Sequence, residues 1–276
     1  MKFKVYVNGR IEITGSLHKY MNNGEHNMND FSVCDLEVVL LELSSKFGPE
    51  ILIMDVQNLE FGINIATPFT PYEFTNKVIL YLSRGARFKH AITKDDAKGF
   101  DRGIRFILDQ YQAKYYDKAG MYNQPGNLLR TEFKTVKMEI VKGAKIKTIG
   151  DLIKPSVTQF LFNKLIECID NTLVNESIDL KNLNQVQQMI VLQCVNPEFW
   201  NGIDKYQRTH RKKQFDALSK KYGTTDIKAI VKDLLHKKYA EMVNANERST
   251  INLLTVPVKK VRDPLAQTIN TALSTY

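Results

Sequence analysis

Cysteine is scarce and badly placed for pairing: Cys34, Cys168 and Cys194 are odd in number, widely spaced and set among apolar neighbours. That argues against a disulfide framework or a zinc site, and for reduced, buried thiols. The chain also lacks an apolar run of membrane-spanning length and a signal-peptide pattern, so a cytoplasmic protein with no membrane partner is expected. Spacing yields no CxxC, no HExxH and no P-loop, and there is no internal repeat or low-complexity tract. What remains is a chain of 276 residues, room for one large domain or two smaller ones, with the apolar and charged fractions of a soluble globular protein.

Acidic residues are in deficit, 30 against 39 Lys and Arg, for a formal charge of +9. From Lys205 to Lys238 eleven Lys and Arg face only Asp216, Asp226 and Asp233, so nearly all the excess lies in one C-terminal region. Nucleic acid is the first expectation for such a patch, and a solubilising helical surface the plainer one.

Residues 2–8 alternate, Asn8-Gly9 signals a type I′ turn, and Ile11-Glu12-Ile13 completes a hairpin. A polar loop dense in His and Asn follows from Gly15 to Phe31. Asp30 or Ser32 then caps a helix over 33–46, where Leu36, Val39, Leu40 and Leu43 keep helical spacing. A β-rich run is expected from Pro49 to Ile65, a helix over 72–82, a basic connection or short strands over 84–102, and a strand over 103–108. Two further strands flank a loop containing Pro125 and Gly126. From Thr148 the pattern turns helical, with stripes at Val157, Phe160, Leu161 and Ile166 and at Ile227, Ile230, Val231, Leu234 and Leu235. The expectation is therefore an α+β protein: a mainly antiparallel sheet with flanking helices to residue 146, then a helical, basic region over 147–276.

The strands carry the candidate chemistry. With a period of two, Lys114, Tyr116 and Lys118 share a face, as do Arg130, Glu132 and Lys134, and as do Glu60, Gly62 and Asn64. Ordinarily such faces are only the solvated side of a sheet. If they align in one sheet, they offer Tyr116 as an oxygen nucleophile for a phosphodiester, Lys118 as a nearby cation, and Glu60, Asn64 and Glu132 as oxygen ligands for a divalent metal. His26 or His18 from the polar loop would complete the metal site.

The four blocks Gly24-Glu-His-Asn-Met-Asn-Asp-Phe31, Leu59-Glu-Phe-Gly-Ile-Asn-Ile65, Lys114-Tyr-Tyr-Asp-Lys118 and Leu129-Arg-Thr-Glu-Phe-Lys134 together resemble the rolling-circle replication initiators of single-stranded DNA phages and related plasmids. The likeness is nearest to phage replication proteins of Bacteroidetes hosts, and more distantly to the filamentous-phage replication nickase and the transposase-like plasmid initiators. It covers about residues 15–140. The resemblance implies an endonuclease and strand transferase dependent on Mg²⁺ or Mn²⁺. Tyr116 would attack the origin and keep the 5′-phosphate as a phosphotyrosine link, with Lys118 at the scissile phosphate or leaving oxygen. Glu60, Glu132 and His26 would serve the metal. Arg130, Lys134 and Asn64, with Lys205, Arg208, Arg211, Lys212 and Lys213, would hold DNA. Implied partners are single-stranded or supercoiled origin DNA and a host helicase and polymerase, in the cytoplasm of a bacterial host. The His-hydrophobic-His pair of the commonest rolling-circle nucleases is absent, Lys134 arrives one place early in the Arg-x-Glu strand, and Tyr115 replaces Tyr116 if the register slips by one. A non-catalytic origin-binding or repressor-type protein is the alternative.

Overall fold

Apolar and polar residues alternate through the strands of the first half, and long amphipathic segments make helices of the second. The computed structural model, which describes residues 1–82, 85–92 and 103–249, accordingly has an α+β architecture with helices toward the C-terminus. In chain order the elements are β1 (Lys2–Val5), β2 (Ile11–Thr14), α1 (Leu17–Met21), α2 (Val33–Phe47), β3 (Glu60–Ala66), α3 (Pro71–Lys77), β4 (Val78–Leu82), β5 (Ala86–Arg87) and β6 (His90–Ala91). They continue with β7 (Gly103–Ile107), β8 (Tyr111–Asp117), α4 (Lys118–Met121), β9 (Leu128–Thr135), α5 (Pro155–Asn171), β10 (Thr172–Val174), α6 (Gln185–Val195), α7 (Lys205–Tyr222) and α8 (Ile227–Ser249). Among the described residues no helix is long and apolar enough to cross a membrane.

Internal packing groups these elements into two interleaved units. The first comprises Met1–Gln57, Val141–Phe160 and the described part of α8 from Tyr239. Its β1–β2 hairpin pairs Lys2 with Thr14 and Val5 with Ile11. The turn is not type I′: only Gly9 has positive φ (78°), and the Gly9 amide donates to Tyr6 O, so the loop is one residue longer than the Asn-Gly pair suggests. Helix α2 starts at a reciprocal cap in which Ser32 Oγ accepts from the Asp35 amide (3.1 Å) and Asp35 Oδ2 accepts from the Ser32 amide (2.7 Å). Its Val39, Leu40 and Leu43 are buried with Ile51. Residues Pro49–Ile53 form a 3₁₀ turn, so the expected β-rich run contracts to β3 alone.

The second unit, Asn58–Ile140 with Leu161–Lys238, holds two sheets. The larger has strand order β3-β9-β8-β7-β6, antiparallel throughout; the smaller has order β10-β4-β5. On the apolar face of the larger sheet lie Ile63, Ile65, Phe106, Ala113, Tyr115, Leu129 and Phe133, all buried. Phe74 of α3 meets the Tyr115 ring edge-on at 5.5 Å. Each isoleucine, leucine or phenylalanine removed from water here contributes about 1.5–3 kcal/mol. The helix expected over 72–82 ends at Lys77, because Val78–Leu82 is buried on both faces and runs as a central strand with no alternation to reveal it. Strand β10 pairs with β4, and Ile79, Leu80 and Leu82 pack with Val191, Trp200, Phe215 and Leu218. That packing is why C-terminal helices belong to the same unit as the sheets. Arg84 of the basic connection lies outside the described residues.

Helix α8 begins on a buried carboxylate. Glu176, 6% exposed, accepts from the amides of Ile227 (2.9 Å) and Lys228 (3.0 Å) and from Thr225 Oγ1 (3.0 Å). Glu176→Ala strands those donors and removes a charge from a helix N-terminus, so urea denaturation is expected to show a loss of about 2 kcal/mol. Glu176→Gln should recover part of it.

Candidate functional site

Register decides what the sheet's other face presents. Strand β9 lies between β3 and β8, with Gly62 opposite Glu132 opposite Lys114, and Asn64 opposite Arg130 opposite Tyr116. Glu60, Lys134 and Gln112 form a third row toward one end. The aligned face anticipated from three separate strands is therefore present, and it converges on Glu132.

The Glu132 carboxylate is 1% exposed and receives three side-chain donors. Lys114 Nζ donates to Oε1 (2.7 Å), while Tyr116 Oη and Arg130 Nε donate to Oε2 (2.9 and 2.8 Å). Arg130 also donates through a terminal nitrogen to Asn64 Oδ1 (3.1 Å). Lys114 reaches on to Glu60 Oε2 (3.1 Å), which Lys134 approaches at 3.7 Å. Glu60 sits on the edge strand β3 and is partly exposed, which explains an acid among apolar neighbours in sequence.

Glycine makes this geometry possible. A Cβ on Gly62 would lie 2.8 Å from Thr131 O and 3.0 Å from the Arg130 guanidinium, so the bare backbone is what lets that guanidinium lie across β3. Gly103 plays the same part on β7, where a Cβ would overlap Tyr116 Cβ.

The charges are mutually dependent. Burial works against the Glu132 carboxylate, but Arg130 and then Lys114 outweigh it and hold its pKa well below the usual carboxylate value. Glu60 moves the opposite way, raised by burial and then by the Glu132 charge. Burial likewise disfavours the Lys114 ammonium, yet Glu132 and Glu60 together keep its pKa above that of an ordinary lysine. Burial first, and then Glu132, push the Tyr116 phenol well above its usual value, so at rest it is a protonated donor.

The adjacent tyrosines are separated by the pleat. Tyr115 is buried on the apolar face, its hydroxyl 2.8 Å from Thr172 Oγ1, while Tyr116 is on the charged face. Lys118 does not continue the strand as expected. The strand ends at Asp117, whose Oδ1 accepts from the Gly120 amide (2.8 Å), and Lys118 opens the short helix α4. Its buried ammonium lies 5.4 Å from the Tyr116 ring centre and 5.2 Å from that of Tyr122.

His26 belongs to the first unit, on the loop after α1, where its carbonyl accepts from Asn22 Nδ2 (3.1 Å). His18 lies on α1 itself, its ring stacked on Phe31 and its Nε2 2.8 Å from Asn29 Oδ1. Among the described residues no three His, Cys, Asp or Glu side chains are grouped to hold a metal. Glu60 and Glu132 do converge on one cationic point, the Lys114 ammonium.

On α7, Lys205 and Lys213 are exposed, whereas Lys212 pairs with Asp216 (2.7 Å), Arg211 donates to Gln214 Oε1 (3.1 Å) and Arg208 reaches Trp200 O (3.5 Å). Spacing did not reveal an open groove of about 370 Å³ between α6 and α7, lined by Gln193, Phe199, Tyr206, His210, Arg211 and Gln214, with Tyr206 83% exposed. Nor did spacing assign Lys114 its bridging place, since only the register shows it. No family model, curated protein or solved structure matches this chain.

Two outcomes follow from the network. Gly62→Ala should displace Arg130 and lower stability by about 1–3 kcal/mol in urea denaturation. Glu132, with its folded pKa depressed, contributes stability that is complete above the ordinary carboxylate pKa and is lost as pH falls toward the folded value. The raised Glu60 contributes oppositely, its share being lost as pH rises through its folded pKa. Glu132→Gln should therefore flatten the acid limb of the stability profile and cost about 3–5 kcal/mol at neutral pH by leaving buried cations unpaired.

Proposed function

We propose that this protein is a tyrosine nickase–ligase for single-stranded DNA, of the kind that initiates rolling-circle replication. The observation that carries the reading is the hydrogen bond from Tyr116 Oη to Glu132 Oε2, with Arg130 and Lys114 on the same carboxylate. A hydroxyl nucleophile, an oxygen that can take its proton and two cations for non-bridging phosphate oxygens are the parts such a transfer requires.

In the reaction Tyr116 Oη bonds to phosphorus and its proton passes to Glu132 Oε2. The bond to the 3′-oxygen breaks, and Lys118 is the candidate to protonate that oxygen. Arg130 turning toward a bound phosphate would relieve the charge that makes Glu132 a weak base at rest. Reversal by a second 3′-hydroxyl closes the displaced strand. Glu60 and Glu132 would hold Mg²⁺ or Mn²⁺, which would supply further positive charge at the phosphate. Lys134 and Asn64 flank the scissile position on this reading, and the exposed cations of α7 follow the DNA backbone. Host helicase and polymerase in a bacterial cytoplasm complete the scheme.

The saturation of Glu132 by donors favours a second reading, in which the charged face binds DNA phosphates and performs no chemistry. Incubation with Mn²⁺ and labelled single-stranded oligonucleotides from the protein's own replicon separates them. A denaturant-resistant adduct is expected, lost in Tyr116→Phe and kept in Tyr115→Phe. Binding without cleavage would favour the second reading, and cleavage without adduct a nuclease that uses water. Duplex affinity should fall steeply with salt, and Lys213→Ala should reduce the slope of log affinity against log salt by about one. A flat response would remove α7 from the interface.

A further inference from the structure

We infer that Lys114 is the built-in occupant of the cation position between Glu60 and Glu132, so that its ammonium and a divalent metal exclude one another. The inference rests on the proposed reading only for the identity of the metal. Lys114 Nζ lies 2.7 Å from Glu132 Oε1 and 3.1 Å from Glu60 Oε2, so one nitrogen bridges the two carboxylates. The other Glu132 oxygen is taken by Tyr116 and Arg130. Oε1 is thus the corner of that carboxylate through which a metal would join it to Glu60, and the ammonium is already there.

Charge balance points the same way. Arg130, Lys114 and Lys134 already set three cations against two carboxylates. Adding a dication beside a retained ammonium would place like charges in contact where burial strengthens their repulsion. Replacing the ammonium leaves both carboxylates with a partner. Lys114 has somewhere to go, since its side chain is 18% exposed and hangs on a long flexible stem. A phosphate arriving on this face offers it another anion, so the metal is admitted together with DNA and not before it.

Direct Mn²⁺ binding to the full chain without DNA, followed by electron paramagnetic resonance, tests this. Lys114→Met is expected to bind Mn²⁺ at least about tenfold tighter than the native chain, the ordinary reading of one competing charge removed (tenfold being about 1.4 kcal/mol). Adding Glu60→Gln to Lys114→Met should abolish the gain. Lys114→Gln, which removes the charge and keeps a polar contact, should show the same direction, with circular dichroism reporting that each variant is folded. Equal Mn²⁺ affinity in native and Lys114-substituted chains would overturn the inference, as would a gain that survives Glu60→Gln. Since neither DNA nor turnover enters the measurement, failure of the nicking reading leaves its outcome unchanged.

Discussion

A carboxylate taken out of water must be answered by charge, and the burial of Glu132 organises the rest of the charged face. Its answer comes from two strands: Arg130 two residues earlier on β9 and Lys114 directly across on β8. The third strand contributes by what it lacks, a side chain at Gly62. A buried pair of this kind adds little net stability compared with apolar packing, but breaking it is costly, so its effect is to penalise alternatives. A slip of β9 by one residue would put Glu132 among Phe106, Ala113 and Tyr115 and bring Phe133 to the charged side. The ion pairs and the aromatic core therefore specify the same register from opposite faces.

Because both faces agree on register, neighbouring tyrosines acquire opposite chemistry. Tyr115 is a core ring whose hydroxyl is settled by Thr172, and Tyr116 is a donor to the buried acid. Nothing in the residue type distinguishes them; the pleat does. The basic C-terminal region divides in a similar way. Lys228 donates to the carbonyls of Asp170 in the last turn of α5 and of Thr172 at the start of β10, and Lys232 pairs with Asp170, so these charges serve the fold. Lys205 and Lys213 face solvent and carry the long-range field of the segment.

How much of this was legible depended on whether a residue's environment is local. The faces of β3, β8 and β9 and the helical stripes of α2 and α8 follow from local pattern within one segment and appear nearly where spacing puts them. Of the two expected caps, Asp30 or Ser32, it is Ser32 that serves. On α5 Val157 and Leu161 are buried as expected, but Phe160 and Ile166 are only half-buried, and Phe162, Leu165 and Ile169 take the core side. Strand β4 did not follow, because burial on both sides erases alternation, and β10 is too short to show any. Lys118 falls outside the strand for another local reason: Asp117 caps a helical turn and ends the strand one residue sooner than the lysine spacing suggests. The ion pairs joining Glu60, Lys114 and Glu132 span separate strands, so sequence named the members without being able to pair them. The interleaving of the two units has the same origin, in pairings between residues far apart along the chain.

The site at rest has its charges satisfied, and that bears on any chemistry assigned to it. A nucleophile whose proton is held tightly, beside an acid made weakly basic by two cations, is stable and unreactive. The weak basicity of Glu132 depends on Arg130 and Lys114 remaining where they are, whereas the hold on the Tyr116 proton comes from burial and then from the Glu132 charge. On the proposed reading a phosphate would compete for those same cations, and each one drawn away would make Glu132 a better proton acceptor for Tyr116. Substrate binding would then do more than position a bond: it would remove charges that keep Glu132 a weak base.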